Sequence, residues 1–333
     1  MTAIAAPALP RLGFLGTGWI GRLRLEAIAA SGEADVAALA DPDGDCLAAA
    51  ARTAPSAGLH ATDLEQLLAA DLDGIVIATP SALHAEQAIA ALQRGVAVFC
   101  QKPLGRTAAE TRAVVAAAER AGRLLGVDMS YRRTAAALAL RERVAAGAIG
   151  PVHAVELVFH NAYGPDKAWF LDPALSGGGC AVDLGIHLVD LLLWVLDAPA
   201  VTGVDARRWR GGERAGAGVA EDLCLATLDL AGGAVARLAC SWFSHEGCDC
   251  VLEATFRGRD GAVSLHNVGG SFYDFAVELR RGTGTHAIVA PPDDWGGRAA
   301  VEWARRLRAG AGFDPEVRRL IEVAGVIDRM LDR

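Results

Sequence analysis

Asp183 and His187 have a spacing that suits acid–base chemistry. They are four residues apart, so a helix would place both side chains on one face. Their neighbours are apolar, and polar groups in such a setting are costly unless they are partnered. A buried Asp–His pair is the plain structural interpretation. A general base with an orienting acid is the functional one, since histidine titrates nearest to neutral pH. Asp190 follows, but no further ligand completes a set, so we predict no metal.

A second candidate is the lysine in Gln101-Lys102-Pro103. It follows the apolar residues 96–100, which predict a β-strand. In α/β sheets, ligands bind outside the carboxyl ends of the strands. Lys102 is therefore a candidate for a cation that faces a ligand, and the alternative is a surface lysine at a strand end.

The third candidate is the glycine pattern G-x-G-x-x-G at residues 16–21. It follows a predicted strand and opens a predicted helix, which is the setting of a dinucleotide-binding turn. Gly16 would permit the tight turn, Gly18 would let a pyrophosphate approach the helix N-terminus, and Gly21 would allow close helix–strand packing. The next strand ends at Asp41, which is placed to accept hydrogen bonds from the adenosine ribose.

Asp41 also bears on the choice of cofactor. A carboxylate at this place repels a 2′-phosphate, and Pro42 follows with no adjacent Arg or Lys. We therefore expect NAD to be preferred over NADP. The alternative is that Asp41 is only a turn residue in Asp-Pro-Asp-Gly.

The elements that must position these residues change in rhythm along the chain. Over residues 1–128, short apolar strands alternate with helices, which indicates a mostly parallel, doubly wound sheet. The predicted strands are 11–15, 36–40, 74–78, 96–100 and 124–127, and the predicted helices are 20–30, 85–93 and 107–121, with capping boxes at Thr62–Glu65 and Thr107–Glu110.

Residues 129–333 predict a second domain, because consecutive strands with short turns indicate antiparallel pairing. Strands are expected at 152–159, 201–209, 222–230, 234–243, 249–257, 261–266 and 274–280, and helices at 135–146, 183–196, 294–309 and 314–332. The predicted fold class is α/β, with a doubly wound parallel sheet followed by an α+β domain in which most strands pair antiparallel.

The composition excludes several classes of protein. The chain has 333 residues, 52% of them hydrophobic, enough for about two domains with large cores. A net charge of −8 argues against a nucleic-acid partner. No run of about 18 uncharged apolar residues exists, so we predict no membrane span. Residues 1–10 predict a short disordered lead-in and no signal peptide. Seven scattered cysteines predict reduced thiols and a cytoplasmic location.

Three motifs together resemble the Gfo/Idh/MocA family, which includes glucose–fructose oxidoreductase and inositol dehydrogenase. They are the glycine turn, the Lys-Pro after the predicted strand 96–100 and the G-G-G-x-x-x-D-x-G-x-H pattern at 177–187. Residues 78–84, ATPSALH, are similar to the segment that this family has beside the nicotinamide. The resemblance covers about residues 11–310. It implies an N-terminal Rossmann domain and a C-terminal α+β domain built on an open, mostly antiparallel sheet. The chain departs from the family at Gln101, where the family usually has Glu, which removes a charge beside Lys102.

The resemblance implies reversible oxidation of a hydroxyl on a sugar, cyclitol or related polyol. His187 is expected to be the general base, Lys102 to stabilise the developing alkoxide, and Asp183 to orient His187 or the substrate. The alternative that His187 and Lys102 share or exchange their two roles stays open. The implied cofactor-binding residues are Gly16, Gly18, Trp19, Ile20, Gly21, Asp41, Thr79, Pro80, His84, Gln101 and Lys102. Candidate substrate residues are Tyr131, Arg132, Asn161, Tyr163 and Trp169, besides Asp183 and His187. A homodimer or homotetramer is also expected.

Three alternatives stay open at this point. A redox-neutral enzyme could oxidise a sugar transiently so that elimination cleaves a glycosidic bond. A reductase could act on a nucleotide-activated keto-sugar in biosynthesis. A ligand-sensing regulator without catalysis is the third, and the presence of Lys102, Asp183 and His187 argues against it.

Overall fold

The computed structural model describes residues 8–333, in two compact units. The first unit takes in the chain up to Gly105, Ala109–Ser130 and Gly296–Arg318. The second unit consists of Arg106–Ala108, Tyr131–Trp295 and Arg319–Arg333. Residues 1–7 of the predicted lead-in lie outside the described residues. The predicted domain boundary after residue 128 stays a prediction.

A six-stranded parallel sheet forms the centre of the first unit, in the order β3-β2-β1-β4-β5-β6. The strands are β1 Arg11–Leu15, β2 Asp35–Ala40, β3 Leu59–Ala61, β4 Gly74–Ile77, β5 Ala97–Cys100 and β6 Leu125–Val127. The first helices are α1 Trp19–Ser31, α2 Gly44–Thr53, α3 Leu64–Leu68, α4 Ser81–Gln93 and α5 Ala108–Ala121. Both β4 and β5 are buried throughout, as in a sheet covered on both faces, which confirms the predicted Rossmann architecture.

Local differences from the sequence prediction have local causes. The pattern did not indicate α2, which Asp43 caps by accepting the N–H groups of Asp45 and Cys46. The three residues of β3 are too few to show a period. Thr62 was expected to cap α3, but Asp63 is the cap and accepts the Gln66 N–H at 2.9 Å.

Helix α9, Arg298–Arg308, belongs to the first unit although it comes late in the chain. Trp303 on this helix packs against Phe99 of β5, with ring centroids 5.7 Å apart. A Cβ on Gly74 or on Gly126 would lie 2.7 Å from the Trp303 ring, so both strands need glycine there for the helix to approach. Trp303 thus forms part of the core of the first unit.

A nine-stranded sheet forms the second unit, in the order β15-β14-β13-β12-β7-β11-β10-β8-β9. All pairs are antiparallel except β7 with β11, which confirms a mostly antiparallel sheet. The strands are β7 Val152–Asn161, β8 Val201–Arg210, β9 Glu213–Arg214, β10 Leu223–Leu230, β11 Val235–Ser241, β12 Cys250–Gly258, β13 Gly261–Asn267, β14 Phe275–Arg281 and β15 Gly284–Val289. The edge strands β9 and β15 were not predicted.

The helices of the second unit are α6 Ala135–Ala145, α7 Pro173–Ser176, α8 Ile186–Val195 and α10 Arg319–Met330. All ten residues of α8 are buried, and α6 and α10 pack against it. Because β10 alternates between buried and exposed residues, the helices cover one face of the sheet.

Residues Pro173–Val195 are long and apolar enough, by length and composition, to cross a membrane. In the described structure, 94% of the most apolar window is buried inside the chain. The segment is therefore accounted for as a core element of the second unit.

Candidate functional site

The glycine turn between β1 and α1 leaves no room for a side chain at Gly16 or at Gly21. Gly16 has φ +84°, and a Cβ there would lie 2.6 Å from the Ala78 carbonyl. A Cβ on Gly21 would lie 2.0 Å from the Gly16 oxygen. Gly18 begins α1 without a side-chain cap, so the first N–H groups of the helix have no side-chain acceptor there. This cradle fits the anionic pyrophosphate of a dinucleotide.

Asp41 braces the same turn. Its Oδ2 accepts the Thr17 N–H at 2.6 Å and the Thr17 hydroxyl at 3.1 Å, and its Oδ1 accepts the Asp43 N–H at 2.9 Å. Two carboxylate oxygens offer about four acceptor positions, so Oδ1 retains capacity for a ribose hydroxyl. The turn-residue interpretation and the ribose-binding interpretation of Asp41 are therefore compatible.

The remaining first-unit candidates differ in exposure. Trp19 is 59% exposed on the first turn of α1, Ile20 is half-buried, and Pro80 is exposed ahead of α4. Thr79 is half-buried, and its hydroxyl donates to Gln87 Oε1 at 2.6 Å. Their roles toward a cofactor stay predictions.

His84 is buried and ties two loops together. One ring nitrogen lies 2.7 Å from the Thr79 carbonyl oxygen and the other 2.7 Å from the Pro103 carbonyl oxygen. A neutral imidazole donates to only one of them, and the imidazolium donates to both. Burial lowers the pKa of His84 and so favours the neutral ring. Both ring nitrogens face carbonyls of the protein, so the geometry makes His84 a brace between the loops after β4 and β5.

Gln101 and Lys102 directly follow β5. Gln101 is buried, and its Nε2 donates to Asp128 Oδ2 at 2.6 Å. Arg24 Nε of α1 donates to the same oxygen at 2.5 Å. Lys102 is half-buried and joined to Pro103 by a cis peptide. The strand end thus presents Lys102 next to a buried polar group of three side chains.

In the second unit, the G-G-G turn closes around Glu221. The Glu221 carboxylate accepts the N–H groups of Gly179 at 3.1 Å and Ala181 at 2.8 Å. A Cβ on Gly179 would lie 1.9 Å from the Glu221 carbonyl oxygen. Glu221 is fully buried, and burial raises its pKa against the opposing effect of these N–H donors. Glu221 therefore fixes where the following helix starts.

That helix starts with a π-helical turn, Ala181–Gly185, and continues as α8. It was predicted to begin near Asp183 as an ordinary α-helix. Single π turns are frequent at functional sites. Asp183 lies in the π turn, half-buried, and its Oδ2 accepts the Trp242 Nε1–H at 3.1 Å. Trp242 at the end of β11 thus orients the acid.

His187 lies on the first turn of α8 and is 7% exposed. Its ring packs edge-on against Tyr131, with centroids 4.8 Å apart, and lies 6.3 Å from the Phe159 ring. Tyr131 also packs against Phe275 and Trp295, and burial raises the Tyr131 pKa. The imidazole is thus held in an aromatic surrounding, one helical turn after Asp183.

Arg132 and Asp190 form an ion pair beyond this turn. Arg132 Nε donates to Asp190 Oδ2 at 2.6 Å, and Nη2 also bonds to Oδ1. Burial raises the Asp190 pKa, and Arg132 opposes that rise. Asp190 therefore pairs with Arg132, and the predicted contact of Arg132 with substrate stays a prediction.

Three further substrate candidates lie on or after β7. Asn161 ends the strand, and its Oδ1 is buried without a hydrogen-bond partner among residues 8–333. Tyr163 is 51% exposed, and its ring centroid lies 6.3 Å from that of Phe272. Trp169 stacks on Phe170, with ring centroids 3.9 Å apart. Of these three residues, Asn161 is the one with a buried polar atom that lacks a partner among the described residues, and its contact with substrate stays a prediction.

Four residues of the site escaped the sequence reasoning: Arg24, Asp128, Glu221 and Trp242. Two of them left a signal: Arg24 is a charge on the apolar face of α1, and Asp128 follows β6 at a strand end, as Lys102 follows β5. No sequence pattern around Glu221 or Trp242 indicates their partners.

Two segments of the chain match models of known protein families. Residues 11–129 match the model of an oxidoreductase family with an NAD-binding Rossmann fold. Residues 137–264 match the GFO/IDH/MocA C-terminal domain. The two matches cover more than half of the chain.

Individual relatives are sugar-converting enzymes. The chain is 38% identical to 1,5-anhydro-D-fructose reductase of Ensifer adhaerens over 156 residues, which is 46% of each chain. It is 30% identical to D-apiose dehydrogenase of Paraburkholderia graminis over 87% of this chain and 74% of that one. The fold is similar to levoglucosan dehydrogenase in complex with NADH and levoglucosan, with a TM-score of 0.82 and 22% identity over 98% of this chain and 97% of that one.

Proposed function

The chain belongs to the Gfo/Idh/MocA family and is an NAD(P)-dependent oxidoreductase of CH–OH groups, and from this premise we propose that its substrate is a sugar, cyclitol or related polyol. The observation that carries the proposal is the placement of Asp183 and His187. Both lie on one buried helix, one turn apart. Trp242 donates a hydrogen bond to the Asp183 carboxylate, and the Tyr131 ring packs against the His187 ring. A polyol hydroxyl needs such a base and an orienting acid to lose its proton.

NAD is the proposed cofactor, in preference to NADP. The glycine cradle and the uncapped start of α1 would hold the pyrophosphate, and Asp41 would accept a ribose hydroxyl on Oδ1. The Asp41 carboxylate is 8% exposed and would meet a 2′-phosphate with like charge. When bound, the nicotinamide supplies the acceptor for a hydride from the carbinol carbon.

In the proposed mechanism, His187 takes the hydroxyl proton of the substrate, and Asp183 keeps the imidazole and the substrate oriented. The aromatic surrounding of His187 limits ring rotation and excludes water. Lys102 donates a hydrogen bond to the reacting oxygen and stabilises the developing alkoxide. In the reductive direction, His187 returns the proton to that oxygen.

Other parts of the proposal concern organisation. We propose a cofactor domain over residues 1–128 and a substrate domain over residues 129–333. We also propose a cytoplasmic location and a homodimer or homotetramer. Asn161, Tyr131, Arg132, Tyr163 and Trp169 are the proposed substrate contacts, with the buried Asn161 Oδ1 as the polar group that would receive a substrate hydroxyl.

The test is a panel of sugars, cyclitols and polyols incubated with NAD or NADP, with NADH absorbance and product analysis. We expect NADH formation with at least one member and a keto product. Product formation without net NADH would replace the dehydrogenase proposal with redox-neutral turnover. No conversion of any member in either direction would contradict the substrate class.

A further inference from the structure

Three buried side chains of the first unit take no part in the proposed proton and hydride transfers: Arg24, Asp128 and Gln101. Asp128 Oδ2 accepts from Gln101 Nε2 at 2.6 Å and from Arg24 Nε at 2.5 Å. We propose that this group, called here the Asp128 bridge, positions Lys102 by fixing the residue before it to helix α1. The proposal rests on the role assigned to Lys102 under the proposed function.

The burial of the bridge argues for a use beyond stability. The Asp128 side chain is fully buried and that of Arg24 is 7% exposed. Removing two charges from water is costly, and apolar side chains of similar volume often stabilise such a place as well or better. The ion pair does, however, fix geometry, because one oxygen must meet two donors at once.

The bridge acts on the backbone that carries Lys102. On the near side, the Gln101 N–H donates to the Ile77 carbonyl at 2.9 Å, while its side chain is held by Asp128. On the far side, the Pro103 carbonyl lies 2.7 Å from the His84 ring. The residues before and after Lys102 are therefore both held by buried partners, and the bridge connects the near side to the helix that starts at the glycine turn.

An amide at position 101 is what the bridge requires. Gln101 supplies an N–H to the Asp128 carboxylate, whereas a carboxylate in its place would put a second negative charge at 2.6 Å. Gln101 and Asp128 act as one donor–acceptor pair.

The test begins with Gln101→Glu. We expect kcat at pH 8 to fall by about 10- to 100-fold through misplacement of Lys102, with a lower melting temperature of the apoprotein. Two adjacent carboxylates share a proton with a raised pKa. The kcat of this variant should therefore recover as pH falls and be lost as pH rises, in a transition that the wild type lacks.

The double variant Gln101→Glu/Asp128→Asn moves the single carboxylate of the bridge to position 101, where it would accept from the new amide at position 128 and become the acceptor for Arg24. It should restore kcat and the apoprotein melting temperature to within about threefold and a few degrees of the wild type, because the coupled effects cancel. Gln101→Ala leaves the Arg24–Asp128 pair intact and should lower kcat while folding normally. For all variants, NADH affinity is measured by fluorescence.

The matched control is Glu33→Gln, which removes the partner of Arg305 and Arg308 in the same unit. It should lower the melting temperature and leave kcat and its pH profile unchanged. The bridge would be overturned if Gln101→Glu kept the kcat and the pH profile of the wild type. It would also be overturned if the double variant had a kcat no higher than that of Gln101→Glu. Full activity of Lys102→Ala would instead show that the role assigned to Lys102 has failed, and no conversion of any substrate by the wild type would show that the proposed function has failed.

Discussion

Lys102 sits on a loop after a buried strand, and side chains fix the residues on both sides of it. His187 sits on a helix, where only the start is fixed from outside, by a close backbone approach and the Glu221 carboxylate. Gln101 and His84 hold the loop through hydrogen bonds to Asp128 and Pro103. A loop has no internal ladder of hydrogen bonds, so other groups must hold its backbone. The comparison shows that the loop depends on the charge and donor type of its braces.

The helix of the second unit holds its residues by its own ladder, so only its starting point needs support. Gly179 and Glu221 give that support through a close backbone approach and two accepted N–H groups. Around His187 the contacts are aromatic. We therefore expect the second site to be sensitive to side-chain volume, and the first to charge.

The largest expected effect comes from removing the reactive groups themselves. Lys102→Ala and His187→Ala should each lower kcat by about 10²- to 10⁴-fold, because each removes one proton-transfer or oxyanion contact. NADH affinity, measured by fluorescence, should stay near the wild-type value. A fully active double variant would sink the assignment of both sites.

Next come two glycines, one in each unit. Gly21→Ala and Gly179→Ala each place a Cβ about 2 Å from a backbone oxygen, so each should destabilise its unit by about 1–3 kcal/mol. We expect Gly21→Ala to weaken NADH binding, and Gly179→Ala to lower kcat with NADH binding retained. Gly58→Ala and Gly325→Ala, which have open space, are the controls for thermal unfolding. If both variants weakened NADH binding equally, the assignment of cofactor binding to the first unit alone would be contradicted.

Asp41→Ala sharpens the first-unit side of the comparison. Loss of a ribose acceptor should weaken NAD binding by about tenfold, or ~1.4 kcal/mol. Loss of the negative charge should also relax discrimination against NADP. Dissociation constants for NADH and NADPH, measured in parallel, check both. An unchanged ratio between the two cofactors would leave Asp41 as a turn residue alone.

Trp242→Phe tests the orientation of Asp183. The change keeps an aromatic ring but removes the Nε1–H that donates to the Asp183 carboxylate. A lost hydrogen bond of this kind costs about 1 kcal/mol, so kcat should fall by about fivefold. Trp209→Phe on β8, where the indole lies under Arg214, is the matched control and should leave kcat unchanged. An equal loss in both variants would argue for packing alone.

The smallest expected effect concerns pH and the His84 brace. Burial lowers the pKa of His84 below its ordinary value of 6.5 in the folded state, so the unfolded chain takes up the proton first as pH falls. The stability that the neutral ring contributes is therefore present above pH 6.5 and is lost as pH falls below it, by at most about 1.4 kcal/mol per pH unit.

His84→Gln should show a shallower fall in the free energy of unfolding between pH 6.5 and 5 than the wild type, by urea titration. His153→Gln changes an exposed histidine and serves as the control. A pH dependence equal to that of the wild type in His84→Gln would show that the brace does not titrate as argued.

Much of the fold followed from local patterns. The apolar run Gly74–Ile77 indicated a strand buried on both faces, and Gly16 to Gly21 indicated a turn that opens a helix, because both signals lie within a few residues. The spacing of Asp183 and His187 likewise predicted a shared helix. Short elements such as β3 and the two-residue β9 could not be predicted, since two or three residues are too few to show an alternating pattern.

By itself, the sequence determined the two architectures, the glycine turn and the family, because periodicity, turn chemistry and motif spacing are short-range properties. Only the tertiary structure decided which groups hold the site. Arg24 meets Asp128 across 104 residues of chain, Trp242 meets Asp183 across 59, and Glu221 meets Ala181 across 40. Such pairs depend on how strands and helices pack, and local spacing carries no information about that packing.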